Sequence, residues 1–336
     1  MLGFILRRIA YSLVGLAGVV IITFFLSHIL PGDPAQLAAG GMRARPEAVE
    51  AVRKQMGLDQ PIPVQFGRYL AGLARGDLGR SIRTKQPVNK DLRRFMPATV
   101  ELSVVAMLIV ALLGIPFGVL AAVRRDGLID QVIRVVSISA VSLPVFWFAL
   151  LAQMLFYRQL QWLPVGNRLP LFADAPPGVT GLFLVDSVLA WDWLTFRDAL
   201  LHLTLPAVVL ATGSLAMVTR MVRGSVLDVL NLDYVRTARA KGLTERIVIF
   251  KHVLRNALVP VVTMLGLQFG TLLSGAVLAE VVFNWPGIGL YAVQSIVELD
   301  YQPILGVTIL IGVAYVTINL LVDILYAKLD PRIRFS

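Results

Sequence analysis

The chain has 336 residues, 57% hydrophobic and 15% charged, with a mean hydropathy of +0.75. Soluble domains average about 45–50% apolar and about 25% charged, so these proportions exclude a disordered chain and argue against a soluble enzyme. With no cysteine and a net charge of +10, disulfide, Cys-zinc and iron–sulfur chemistry are excluded. The basic excess points to membrane-flanking loops before any nucleic-acid surface.

Six stretches are long enough to cross a bilayer without an Asp, Glu, Lys or Arg: 9–30, 102–123, 135–157, 199–219, 256–279 and 303–322. Hydrocarbon cannot satisfy bare peptide groups, so each is expected to be a helix. The first is too long for a cleaved leader, and no small-residue cleavage site precedes Pro31. Pro116, Pro144 and Pro206 fall inside spans and are expected to kink or unwind them. Gly266, Gly270 and Gly275 read as helix packing.

The basic residues set an orientation. Arg7 and Arg8 precede the first span, and Arg124, Arg125 and Arg134 flank the link between spans two and three. Bases from Arg220 to Arg255 fill the link between spans four and five, and Lys328, Arg332 and Arg334 follow span six. All fall on one side if both termini are cytoplasmic. The segments 31–97, 158–198 and 283–302 are then outside. The chain divides into the first span (1–30), an external loop region (31–97) and a five-helix core (98–336).

The first external loop reads as folded. Pro46, early Glu47 and Glu50, late Arg53 and Lys54, then Gly57, describe one helix. An amphipathic piece follows around Phe66, Tyr69, Leu70 and Leu73, then a turn at residues 76–79. In the second loop, Trp191 and Trp193 suit the headgroup level, and the acids include Asp174, Asp186 and Asp192. A turn beginning at Phe283, through Trp285 and Pro286, should feed a short helix through Ile296.

The segment 231–257 is basic, yet Val235, Ala238, Leu243, Ile247, Phe250 and Leu254 recur through it in mixed three-, four- and five-residue steps. It reads as two short helices parted at Gly242, either an ordinary basic loop or a docking element whose small residues admit a partner.

Here the sequence resembles the cytoplasmic loop of ABC-importer permeases. The stretch Asp233, Tyr234, Val235, Arg236, Thr237, Ala238, Arg239, Ala240, Lys241, Gly242, Leu243, followed by His252 to Pro260, is similar to the dipeptide/oligopeptide branch, which includes nickel and glutathione permeases. Against the general pattern Glu-Ala-Ala, three residues, Gly, nine residues, Ile-x-Leu-Pro, Arg236 replaces the Glu and Thr237 the first Ala. Ala238, Gly242 and Leu254 match, while His252 and Arg255 replace Ile and Pro. The residues 28–34, 76–79, 98–102, 285–289, 319–323 and 330–332 also fit that branch.

The resemblance implies an all-α membrane protein, a type I importer permease with six transmembrane helices, in a bacterial inner membrane. It implies a second homologous permease, two cytoplasmic ATP-binding subunits that hold ATP and Mg, and an external solute-binding protein. Residues 236–243 would couple to the ATPases. Peptide cargo is expected, with nickel or glutathione as alternatives and a stand-alone secondary transporter behind them.

No Gly is followed by Lys, so a phosphate-binding loop cannot occur and the chain should not be the ATPase of its system. No His-Glu-x-x-His is present, and no metal site or resident cofactor is expected. Glu101 suits either a helix N-terminus or a translocation path. Asp323 should pair with Lys328, Arg332 or a neighbouring permease. Glu280 divides between structural pairing and binding-protein contact. Asp192, Trp285 and Gln294 are further candidates for that contact.

Overall fold

The computed structural model describes residues 2–29 and 33–329. Arg332, Arg334, residues 31–32 and the side chains of His28 and Lys328 lie outside that description, so expectations resting on them go no further. Among the described residues the regular secondary structure is all helical, with one isolated bridge between Arg80 and Pro87 in the loops.

The first span is α1 (Leu2–Ile29). The first loop folds into α2 (Pro34–Ala38), α3 (Pro46–Met56) and α4 (Ile62–Ala74). Helix α3 has the expected design: Pro46 at its start, Arg53 and Lys54 in its last turn, and Gly57 closing it at φ +69°. The turn after α4 uses left-handed Gly76 and Gly79.

The second span, α5 (Val88–Val123), starts well before the apolar run and continues through Pro97 and Pro116. The third span is divided. Helices α6 (Leu128–Ser142) and α7 (Val145–Ala152) meet at 106° across Leu143 and Pro144, and α7 runs on as a π-helical stretch to Gln159. Leu143 adopts the extended conformation that a following proline favours. Pro144 therefore breaks its span, whereas Pro116 and Pro206 sit in uninterrupted helices. Short α8 (Phe183–Leu189) precedes the fourth span, α9 (Trp193–Leu230).

Helix α10 (Asp233–Ala240) stands apart after the fourth span. Short α11 (Glu245–Ile247) then passes through a π-helical turn, Val248–Val253, into the fifth span, α12 (Leu254–Val282). The second short helix expected from the sequence is thus the foot of span five. The five-residue step from Ala238 to Leu243 spans the Gly242 turn, while the π turn sets Val248 and Val253, both fully buried, five residues apart and leaves Ile247 and Phe250 exposed. Helix α13 (Ile288–Val297) and the sixth span, α14 (Tyr301–Leu329), complete the chain.

The core lies between α5 and α9, the most extensive pairing, with α12 beside them. Backbones approach closely at Gly118, where a Cβ would stand 2.7 Å from the Thr219 carbonyl. Gly266 and Gly270 seat α12 against Val322 and Tyr315 of α14, while Gly275 faces open space. Helix α1 packs mainly on α14 at the bundle edge, and most of its described surface is exposed, as suits lipid contact.

Candidate functional site

Two ends of the bundle differ in chemistry. The basic end carries α10. Val235 and Ala238 face inward and join the core beside Val248 and Val253, at the i, i+3 spacing that shares a helix face. The Tyr234 hydroxyl accepts from Asn256 Nδ2 at 2.8 Å, pinning α10 to the foot of α12. The helix stops with the Gly242 N–H donating to the Arg239 carbonyl at 2.9 Å and the Leu243 N–H to the Ala238 carbonyl at 3.4 Å. Gly242 holds φ +78°, a left-handed conformation costly for residues with a Cβ. The outward face presents Arg236, Thr237, Arg239, Ala240, Lys241 and Leu243, with Arg239 bonded to Glu245 at 2.7 Å. Ala238 is only 6% exposed, so its small side chain serves close packing within this chain rather than an approaching surface.

The same end holds Asp130, fully buried, which takes two bonds from Arg223 at 2.7 and 2.8 Å and lies 3.6 Å from Arg134. Asp323 is bound bidentately by Arg8 of α1, the second contact at 2.8 Å. The acid staples α1 to α14, while the Lys328 side chain and Arg332 lie outside the described residues.

At the opposite, loop end, Glu101 lies more than three turns inside α5 and is 5% exposed, so neither a helix N-terminus nor an open path describes it. Its carboxylate accepts from Arg168 Nη2 at 2.6 Å and from the Leu184 N–H at 2.7 Å. The Arg168 guanidinium also lies 3.4 Å from the Phe183 ring centre. Burial pulls the Arg168 pKa down, opposed by the Glu101 charge and hydrogen bond. Nearby, Asp186 accepts from the Thr180 N–H, the Thr180 hydroxyl and the Gly181 N–H at 2.7–2.8 Å. Burial raises its pKa, but these donors prevail and hold it below the ordinary value.

Glu280 is fully buried, accepting from the Thr99 hydroxyl at 2.5 Å and the Leu290 N–H at 2.9 Å. It is a structural acid. Trp285, offered by the sequence as a surface contact, is 1% exposed and donates its indole N–H to the Ala98 carbonyl at 2.9 Å. Its polar edge needs a buried acceptor, so it pegs the third loop to α5. Gln294 accepts from Arg83 at 2.9 Å, and Ser81 donates to Asp300 at 2.6 Å, tying the first loop to the third. Asp192 caps α9 by accepting from the Thr195 N–H at 3.0 Å; the Thr195 hydroxyl and this N–H hold its pKa down. Trp191 and Trp193 are largely exposed, with ring centres 6.1 Å apart.

Reasoning from sequence missed Arg168, Asp130 and Asp300. Their partners lie far along the chain, as with the 67-residue separation of Glu101 and Arg168. The available signal was weaker: acids and bases beside apolar runs must find partners.

Long apolar helices, a loop end closed over by its own segments and a separate helix pinned at the basic end define a multi-pass membrane protein. Two family models cover the chain: the N-terminal part of a binding-protein-dependent transport system membrane component over residues 1–103, and the binding-protein-dependent transport system inner membrane component over residues 114–335. The chain belongs to this family and is a membrane-spanning permease subunit of a binding-protein-dependent ABC importer.

Among its relatives is a probable D,D-dipeptide transport system permease from Escherichia coli K12, 48% identical over 98% of this chain and 97% of that one. A di/tripeptide permease from Pseudomonas aeruginosa is 44% identical over 99% of each. A glutathione permease from Pectobacterium atrosepticum is 40% identical over the full length of both. A chain of the MetNI methionine ABC transporter, in an inward-facing conformation, shares the fold: TM-score 0.55, 17% identity, 71% of this chain and 96% of that one.

Proposed function

We propose that this permease carries dipeptides and other short peptides inward across the bacterial inner membrane, with both termini cytoplasmic. It forms the path with a second, similar permease. An external solute-binding protein delivers cargo to the loop end. Two ATP-binding subunits, which hold ATP and Mg, act on the basic end through residues 236–243. Names of relatives at 44–48% identity support the peptide cargo. The glutathione permease among the relatives makes that tripeptide a second cargo to test.

The observation that carries the coupling role is the placement of α10. Its inward side chains and its Tyr234 pin make it move with span five, while its other residues stay exposed. A force applied there passes to α12 as a rigid-element displacement. The loop end suits delivery from outside, since all three of its loops pack on one another. Asp192 and Gln294 lie half-buried at that surface and remain proposed contacts for the binding protein.

Reconstituted importer tests the reading through uptake of a labelled dipeptide and ATPase stimulation by liganded binding protein. Gly242→Asp is expected to abolish both while the chain still inserts. Full stimulation and uptake in that variant would remove 236–243 as the coupling element. Uptake of glutathione but no dipeptide would replace the cargo and leave the coupling intact.

A further inference from the structure

Beneath α3 and α4 lies a cavity of about 550 Å³, walled also by the outer part of α1 and the start of α14. Nothing in the coupling or cargo-delivery reading uses it. Its volume falls within the range of small-molecule sites, about 300–1,000 Å³. Phe24, Leu58 and Leu305 give it apolar walls, and the Tyr69 ring stacks on Phe24 at 5.4 Å.

Its polar groups are unbalanced. Asp33 is engaged by Arg53 at 2.5 Å, and Asp77 accepts from the Gly79 N–H at 2.9 Å. Arg68 lines the cavity at its solvent-exposed mouth, and among the described residues no carboxylate lies within ion-pair distance of it. Room for its guanidinium is built in: a Cβ on Gly57 would stand 2.5 Å from Arg68 Nη1. Two phenols face the same space. Tyr301 is 7% exposed, and its hydroxyl has no hydrogen-bond partner among the described residues; nor does that of Tyr69. Burial pushes the Tyr69 pKa up to about 12, so it remains a donor at neutral pH. Buried hydroxyls without partners are costly, and a ligand that supplies acceptors would satisfy them.

We propose that this cavity binds a small organic carboxylate with an apolar body, its charge on Arg68 and its oxygens within reach of the Tyr69 and Tyr301 hydroxyls. Among the described residues, a cation outside any ion pair and two hydroxyls without partners match an anion with several acceptor oxygens. The apolar walls match a side group of leucine size. Such a ligand would touch α1, α4 and α14 together, joining the first loop subdomain to two spans. The inference stands on the cavity's own groups and does not depend on which solute is transported.

The test is equilibrium dialysis of radiolabelled leucyl-leucine against the complete importer in nanodiscs, without binding protein, with the C-terminal amide of that dipeptide as the uncharged comparison. Saturable binding is expected, at least tenfold weaker for the amide and for Arg68→Gln and Tyr301→Phe. Native mass spectrometry of the same samples follows retained phospholipid. Absent binding, or binding unchanged by the amide and both variants, would overturn the proposal. So would a phospholipid retained by the wild type and lost from both variants, which would give the cavity to a lipid phosphate instead. Failure of peptide uptake would leave this result untouched, because dialysis reads the cavity without transport.

Discussion

The two ends of the bundle hold their polar groups in opposite ways. At the loop end, the acids Glu101, Asp186, Glu280 and Asp300 are almost wholly buried; Glu101, Glu280 and Asp300 are each bonded to a different loop or span, and Asp186 ties down its own loop at Thr180 and Gly181. At the basic end, Arg236 pairs with an Asp233 side chain that is 96% exposed, and most charges near α10 face solvent. Buried pairs fix geometry because breaking them strands a charge; exposed pairs do not. The loop end is thus a frame locked by its own chain. At the basic end, α10 is anchored through a few apolar side chains and leaves its charge available, although Asp130 near it is buried against Arg223.

That contrast is breakable by substitution. Arg168→Met should be the most damaging change, since it leaves Glu101 buried without its cation; about 3–5 kcal/mol is expected. It would appear as a large fall in the melting temperature of purified protein, and an unchanged melting temperature would deny the locked frame. Asp186→Asn should cost about 1.5–3 kcal/mol, the range for hydrogen bonds to a charged group. Because the folded-state pKa of Asp186 lies below its ordinary 3.8, this stability is present at neutral pH and lost as pH falls below that value. The gap in melting temperature between wild type and variant should therefore narrow toward pH 3.

Ala238→Trp overpacks a buried position, at about 1–3 kcal/mol. Unlike the loop-end changes, it should lower ATPase stimulation by liganded binding protein more than it lowers stability. Arg236→Ala should be mildest, about 0–1 kcal/mol in melting experiments. A large loss of stability there would erase the difference between the ends.

The spans, α3, the turn at residues 76–79 and α13 were legible because each has a local cause: an apolar run, a proline start, a glycine stop. Gly242 was legible for the same reason. The partners of Glu101 and Asp323 were not, because ion pairing across the fold leaves no periodicity. The direction of Ala238 was also hidden, since a small residue suits either a buried face or an approached one. Proline was ambiguous too. Pro206 is buried in a helix that continues uninterrupted through it, while Pro144 has an extended Leu143 before it. Trp285 misled because a tryptophan beside a turn looks like surface until the Ala98 carbonyl that receives it is known.

The wide turn at Val248–Val253 has a consequence for the spacing of the chain. An ordinary helix turns about 100° per residue, so losing one residue inside α12 would swing everything before it by that angle. A π turn already holds one residue more than the α path requires. Deleting Ile249 would let the segment close as ordinary helix with α10 and span five keeping their relative facing. The foot of span five therefore carries one residue of slack, placed between the outward-facing helix and the membrane-crossing one.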